Sequence, residues 1–287
     1  MAASPEFSCI IWAMFSRTGP SLSIIVTTYN NPRALALVLA ALERQTVREF
    51  EVLVADDGSR PDTAALVAQH ASRSRIPIHH LWHPDVGFRK CTITNKAILA
   101  ASGEYLIFFD GDCLPPSHCL ENHLRVARPG SYLAGGKLPL SQALGDRLSI
   151  QQIESGMLDR PGLWWLGVGK RRRLLLSYIP HLRDIMDRRV PRQPSWRGEN
   201  SSGFAIDLRR IGGFDERFTY GYEDADLGHR LQAAGVQGRS IRYTAPVFHL
   251  EHPRPYAKPE EIAVNRALYQ QNRALRATWT PYGLPTA

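Results

Sequence analysis

No two cysteines in this chain stand as a C-x-x-C pair. The four present are Cys9, Cys91, Cys113 and Cys119. That spacing excludes zinc-ribbon and dithiol chemistry. With no evident secretory signal, the four read as reduced thiols of a cytosolic protein. Cys113 is weighed as a nucleophile, but no activating histidine is identifiable for it in the sequence. No stretch approaches the ~20 apolar residues of a membrane-spanning helix. The apolar patch Cys9–Phe15 lacks the basic residues that open a signal peptide. Internal repeats and low-complexity linkers are absent as well.

What is present suits one large α/β domain with insertions. The chain has 287 residues, 44% hydrophobic and 22% charged, enough to bury a core without disulfide or metal staples. Residues 1–20 are set aside as an N-terminal extension. Within them "SPEF" resembles a cloning-vector remnant, which makes Met14 an alternative start. The formal net charge is +8, and much of it is local: Lys170–Arg197 holds nine Lys/Arg against two Asp. Such a block suits nucleic acid, an anionic membrane surface, acidic small substrates, or simply a solvated face.

Strand and helix alternate four times in the first ~110 residues. Leu22–Asn30, Phe50–Ser59, "IPIHHLWH" and Glu104–Asp110 read as buried strands. Pro32–Gln45, Pro61–Ser72 and "TNKAILAAS" read as helices, two of them opened by proline. This alternation predicts βαβ units and a mostly parallel sheet with helices on both faces. Further on, "SYLAGGKLPL" reads as strand and turn, 145–197 as a basic helical insert, and Phe204–Leu208 as a strand. Glu223–Ala234 reads as a helix stopped by Gly235, and Ser240–His252 as a late strand. The tail from Pro253 reads as an arm and a final helix.

Ligands of such sheets bind beyond the carboxyl ends of the strands. "TTYN", "DDGS" and "DGD" all fall there. In "FFDGDCLPP", Asp110 and Asp112 flank a glycine that permits a turn. Two carboxylates aimed at one point repel unless a cation lies between them, and oxygen ligands suit Mg²⁺ or Mn²⁺. A bare acidic turn is the alternative. Glu223 and Asp224 open a helix, which fits either capping of its dipole or a general base. His249 and His252 end the late strand as "HLEH", where they are surface residues or transition-metal ligands.

Taken in order, "LSIIVTTYNNP", "VLVADDGSRPDT", "GFRKCTITNKAI", "YLIFFDGDCLPP" and "GGFDERFTYGYEDADLGHRL" closely resemble the family-2 glycosyltransferases. The resemblance covers about residues 21–252. It implies a GT-A fold: a Rossmann-like nucleotide-binding half, 21–115, joined to an acceptor-binding half, 116–252, with residues 253–287 as a C-terminal arm. It implies a nucleotide-sugar donor, UDP-linked by expectation, and a divalent cofactor, Mn²⁺ or Mg²⁺. Thr28, Tyr29 and Asp57 would cradle base and ribose, with Asp56 assisting. Asp110 would sit near the ribose and the metal, and Asp112 would bind the metal directly. His249 or His252 would complete the metal shell, His252 being favoured. Asp224 would deprotonate the acceptor hydroxyl, and Glu223 would contact the acceptor. The reaction would be a single displacement with inversion.

The chain departs from that pattern in two places. Where many relatives carry Arg before Asn, Thr94 precedes Asn95. Arg89 or Lys90 then becomes the candidate phosphate-binding cation, with Asn95 beside them. "RGENSSGFAI" differs from the usual acceptor loop, leaving Glu199 and Asn200 as candidate acceptor contacts. A nucleotidyltransferase is disfavoured because "TTYNNP" holds no glycine to wrap a phosphate. A nucleic-acid binder is disfavoured because carboxylate-lined strand ends repel phosphate unless a metal is present. The expected partners are the nucleotide sugar and a glycan, lipid-linked or phosphorylated acceptor. Lys170–Arg173 and Arg188–Arg192, with Trp164 and Trp165 as an apolar anchor, suggest peripheral contact with anionic membrane at the cytoplasmic face.

Overall fold

The computed structural model describes residues 21–160, 180–189, 194–253 and 256–285. The expected extension 1–20, Lys170–Arg173, Trp164, Trp165 and Arg192 lie outside the described residues. In chain order the strands are β1 (Leu22–Thr28), β2 (Glu51–Asp56), β3 (Ile78–Trp82), β4 (Tyr105–Asp110), β5 (Cys113–Leu114), β6 (Ser131–Gly135), β7 (Lys137–Leu140), β8 (Asn200–Phe204), β9 (Gln237–Ile241) and β10 (Val247–Leu250). Seven form one sheet in the order β3-β2-β1-β4-β8-β6-β9, and a small second sheet runs β5-β10-β7. In the large sheet β8 alone runs against its neighbours, so the mostly parallel architecture expected from the alternation is what forms.

Side-chain alternation explains why both faces are covered. Along β1, β2 and β4, Ile24, Val26, Val52, Val54, Ile107 and Phe109 join one apolar cluster with the helix Pro32–Glu43. Their neighbours Ile25, Leu53, Ala55, Leu106 and Phe108 join the other, with the helix Lys90–Ala100. A period of two on strands whose central residues are apolar on both faces needs a helix on each side. Asn31 caps the first helix by accepting from Ala34 N, and Pro32 fills its first turn, a good start for a helix. That helix buries nine consecutive positions, Ala34 to Leu42. Truncating Leu35, fully buried there, removes about 2–5 kcal/mol.

Two expected elements differ. Phe204–Leu208 is not a strand: β8 is the preceding Asn200–Phe204, and Ala205–Arg210 is a helix. Pairing with β4 ends at Phe204↔Tyr105. The residues beyond carry Asp207 in the first helical turn and Arg209 and Arg210 in the last, the charge order a helix dipole favours. Ser240–His252 is likewise two strands, β9 and β10, parted by a turn. Asp187, on the helix Pro180–Arg188, accepts from Tyr243 N, Thr244 N, Thr244 Oγ1 and Ser240 Oγ. Four donors on one carboxylate fix the bend.

The sheet brings the polar clusters to one edge. The ends of β1, β2 and β4 point the same way, and antiparallel β8 starts there, with Asn200 opposite Phe109. Behind the helix Glu223–Ala233 packs the helix Pro259–Ala274. The residues after it return to brace the loop before Glu223. Thr280 N donates to Ile211 O, Leu284 N to Gly212 O, and Glu216 N to Tyr282 O.

Candidate active site

The turn after β2 holds its two aspartates in different ways. Asp56 is fully buried, its carboxylate accepting from Ser59 N at 2.8 Å and meeting His80 Nε2 at 2.9 Å. It is a brace with no opening to a ligand. Asp57 keeps 6% of its surface. His83 Nε2 lies 2.7 Å from its Oδ1, and Arg89 N donates to its Oδ2 at 3.0 Å. Burial pushes its carboxyl upward, against these bonds. Thr28, buried, accepts from Asp57 N through its backbone, while exposed Tyr29 donates its hydroxyl to Asp85 at 2.8 Å.

Beyond β4 the chain turns through Gly111, whose N–H donates to Thr27 O. A Cβ there would come within 2.9 Å of that oxygen, so the turn needs glycine. Asp110 and Asp112 then point to different partners. Asp110 Oδ1 accepts from Thr27 Oγ1 at 2.9 Å and from Lys90 Nζ at 2.5 Å. Asp112 Oδ2 lies 2.8 Å from His252 Nε2 and 3.7 Å from His249 Nε2. Desolvation opposes ionisation of Asp112, but the two imidazoles outweigh it and hold its carboxyl below the usual range.

One ligand atom from each of Asp112, His249 and His252 lies within 4.8 Å of the others. The donor set is one carboxylate and two imidazoles, right for Mn²⁺ and similar ions. His249 is 3% exposed, with Nε2 facing Asp112 at 3.7 Å and Nδ1 3.5 Å from Glu251 Oε1. The residues therefore fit a divalent cation.

The third group starts the helix Glu223–Ala233. Tyr222, in front of it, sits at φ +70 after Gly221 at φ +101. A left-handed tyrosine costs on the order of 1 kcal/mol or more, and its stacking on Tyr269 (5.6 Å, 30°) helps hold it. Asp224 Oδ2 accepts from Gly198 N at 2.9 Å, while buried Oδ1 has no hydrogen-bond partner among the described residues. Burial first and then the neighbouring Glu223 push the Asp224 carboxyl up to about 8, against the pull of Lys90. Glu223 is raised by burial as well. Burial works against charge on Lys90, but Asp110, Asp224 and Glu223 together hold its ammonium well above the usual range. Lys90 is thus the cation that joins the β4 turn to the Glu223–Asp224 pair.

Other expected residues make their bonds within the protein. Asn95 is buried, its amide donating to Phe214 O and Glu216 Oε1 and accepting from Phe214 N; it ties a helix to a loop. Asn200 is fully buried, spent on Gly136 O, Ala245 O and His123, which corrects its expected acceptor contact. Arg89 touches Asp57 through its backbone. Glu199 is partly buried, 3.3 Å from Lys137 Nζ, and near enough to the turn after β4 to act on Cys113 together with Asp110 and Asp112. The Cys113 thiol is fully buried and pushed far up by desolvation, so it stays protonated and unreactive. Sequence reasoning missed His83 and Gly198. The signal for His83 was its place just past the end of β3, at the same sheet edge as the acids. Gly198 carried none beyond being a glycine.

A model of "Glycosyl transferase family 2" matches residues 23–179, more than half of the chain. A second, described as "N-terminal domain of galactosyltransferase", matches 192–253. Chondroitin synthase of Escherichia coli is 27% identical over 245 residues, which are 81% of this chain and 35% of that protein. The chain thus spans about a third of that relative's length. A mannosyltransferase from Pyrobaculum calidifontis, solved with GDP-Man and Mn²⁺, superposes with a TM-score of 0.59 at 19% identity, covering 91% of this chain and 65% of the other. Staphylococcus aureus TarS 1-349 with UDP-GlcNAc gives 0.56 at 17% identity, covering 89% and 69%. These likenesses establish the fold as GT-A. A family match across β1 to β4 and beyond, on that fold, leads to one assignment: the chain belongs to glycosyl transferase family 2.

Proposed function

We propose that the chain transfers a sugar, with inversion and with a divalent metal, from a UDP-linked donor to a hydroxyl of a glycan or lipid-linked acceptor. The observation that carries this is Asp224: a buried carboxylate with one unpartnered oxygen and a proton affinity near neutrality. Such a group suits a general base. It would accept the proton of the acceptor hydroxyl as that oxygen attacks the anomeric carbon. The bond from that carbon to the diphosphate oxygen breaks, and the nucleoside diphosphate leaves with the electron pair. Glu223 would contact the acceptor. Lys90 would keep Asp110 oriented and add positive charge where the diphosphate lies.

Asp112, His249 and His252 would hold the ion. When bound, it supplies charge that stabilises a leaving diphosphate. Support for Mn²⁺ is the ion named with the mannosyltransferase; support for UDP is the ligand named with TarS. Thr28, Tyr29 and Asp57 would receive the nucleoside, making 21–115 the donor half and 116–252 the acceptor half. Synthesis of cell-surface polysaccharide is the process this reading suggests, by likeness to chondroitin synthase. The carboxylate-lined edge argues against nucleic acid as a partner. A panel of nucleotide sugars with Mn²⁺, read as released nucleoside diphosphate, tests the proposal. UDP release that needs both Mn²⁺ and an acceptor is expected; no release from any donor would refute it.

A further inference from the structure

The loop Trp82–Arg89 is laced onto the turn that ends β2. Trp82 Nε1 donates to Ser59 O at 3.1 Å, Arg89 N donates to Asp57 Oδ2 at 3.0 Å, and His83 Nε2 meets Asp57 Oδ1 at 2.7 Å. Gly58, at φ +92, lies so close that a Cβ would come within 2.6 Å of Asp85 Cα. The Asp57 carboxylate is therefore gripped on both oxygens by a rigid wall. An ionised carboxylate only accepts, so the ring hydrogen of His83 belongs on Nε2. His83 is 3% exposed, and its Nδ1 has no hydrogen-bond partner among the described residues. Asp57 is thus the one hydrogen-bond partner that the structure gives this ring.

We propose that His83 is a positioning residue for the nucleobase: it holds Asp57 so that its remaining lone pairs accept a ring N–H. This rests on the reading of Asp57 as the base contact. A carboxylate has about four lone-pair positions; two are occupied here, and the side chain keeps 8% of its surface. Uracil and thymine offer N3–H at their pairing edge, and guanine offers N1–H. Cytosine and adenine present a lone pair there instead, which meets the carboxylate lone pairs unfavourably. The pocket would then accept uridine, thymidine and guanosine diphosphates and discriminate against cytidine and adenosine diphosphates. His83 sets how sharply it does so.

The test measures affinity of the full chain for UDP, GDP, CDP and ADP with Mn²⁺, by calorimetry, for wild type, His83→Gln, His83→Leu and Asp57→Asn. Wild type should prefer UDP or GDP to CDP and ADP. His83→Leu should lose about tenfold for the preferred nucleotide, little for the others, and raise the donor KM more than it lowers kcat. His83→Gln, which keeps an N–H donor, should restore most of the preference. Equal loss for all four nucleotides in His83→Leu, or no loss, overturns the proposal. If Asp57→Asn erases the preference while His83→Leu does not, the His83 role alone falls. If Asp57→Asn leaves the preference intact, or wild type binds none of the four, the base reading falls and the proposal with it.

Discussion

Gly198 N donates to Asp224 Oδ2 at 2.9 Å, and a Cβ on Gly198 would come within 3.0 Å of Asp224 Oδ1 and 3.3 Å of Lys90 Nζ. A methyl group there presses on the proposed base and on the cation beside it. Gly198→Ala should lower kcat about tenfold to a hundredfold, since small misplacements of reacting groups are costly. Stability should change by less than ~1 kcal/mol, because Gly198 is not in left-handed backbone. Steady-state kinetics beside a melting curve separates these; an unchanged kcat would count against Asp224 as base.

Asp224 also makes a pH prediction. Its carboxyl is raised from an ordinary 3.8 to about 8 in the folded chain. The folded state therefore holds a proton that the unfolded chain has released between pH ~4 and ~8. This group's contribution to stability is complete below pH ~4 and is lost as pH rises through ~8. Asp224→Asn removes it, so the variant should melt higher than wild type at pH 9 and gain less at pH 5. Its transfer rate should fall by about 10²–10⁴ while nucleotide affinity survives. Wild-type kcat/KM should rise with pH toward ~8. A flat profile would place the base elsewhere.

Asp112 is lowered instead, so its contribution is present above the ordinary carboxylate range and fades as pH falls through its depressed folded value. Asp112→Ala and His252→Ala should each weaken Mn²⁺ binding at least tenfold, read by titration calorimetry. Both should reduce transfer, and a chelator should abolish it in the wild type. Turnover by Asp112→Ala that is normal and indifferent to the chelator would remove the metal assignment.

The helix Pro180–Arg188 spends its acids on the protein. Asp187 caps the turn before Thr244, and Asp184 pairs with Arg125, while Arg188 and Arg189 are exposed. Among the described residues no helix is long and apolar enough to cross a membrane. The basic segment is therefore expected to pull the chain onto vesicles rich in anionic lipid and not onto neutral ones. Co-sedimentation checks this; equal recovery on both would leave an acidic acceptor as its partner.

Arg230 and Asp226 form a fully buried ion pair at 2.7 Å, with Asn272 donating to the other carboxylate oxygen. Arg230 also donates to Ile211 O and Gly213 O. Arg230→Ala leaves an uncompensated buried carboxylate and should cost about 3–5 kcal/mol in urea unfolding. Asp226→Leu with Arg230→Met should cost clearly less.

Strongly periodic segments were legible in the sequence. Helix Pro32–Glu43 and strand β1 declare themselves by proline, leucine spacing and a β-branched run. So do the acids at the strand ends, because one short motif places them. β8 was misplaced because "NSSGF" is small and polar, and its strand character comes from pairing with β4 rather than from propensity. Asn95 and Asn200 looked like ligand contacts for a related reason. A buried amide with several bonds and an exposed one awaiting a ligand have the same letter. His83 was passed over because its partner, Asp57, is 26 residues away and meets it only through the β2–β3 pairing.

The braces from Thr280, Tyr282 and Leu284 onto the loop Ile211–Glu216 reach back some seventy residues along the chain. During synthesis β2 and β4, which lead to Asp57 and Asp112, can pair well before those braces leave the ribosome. Contacts made by residues that emerge late cannot form until those residues are out. The donor cradle can thus take shape on a nascent chain while the loop leading to Glu223 and Asp224 waits for its final turn. On the proposed reading, chains stalled before Thr280 should bind nucleotide without turning it over.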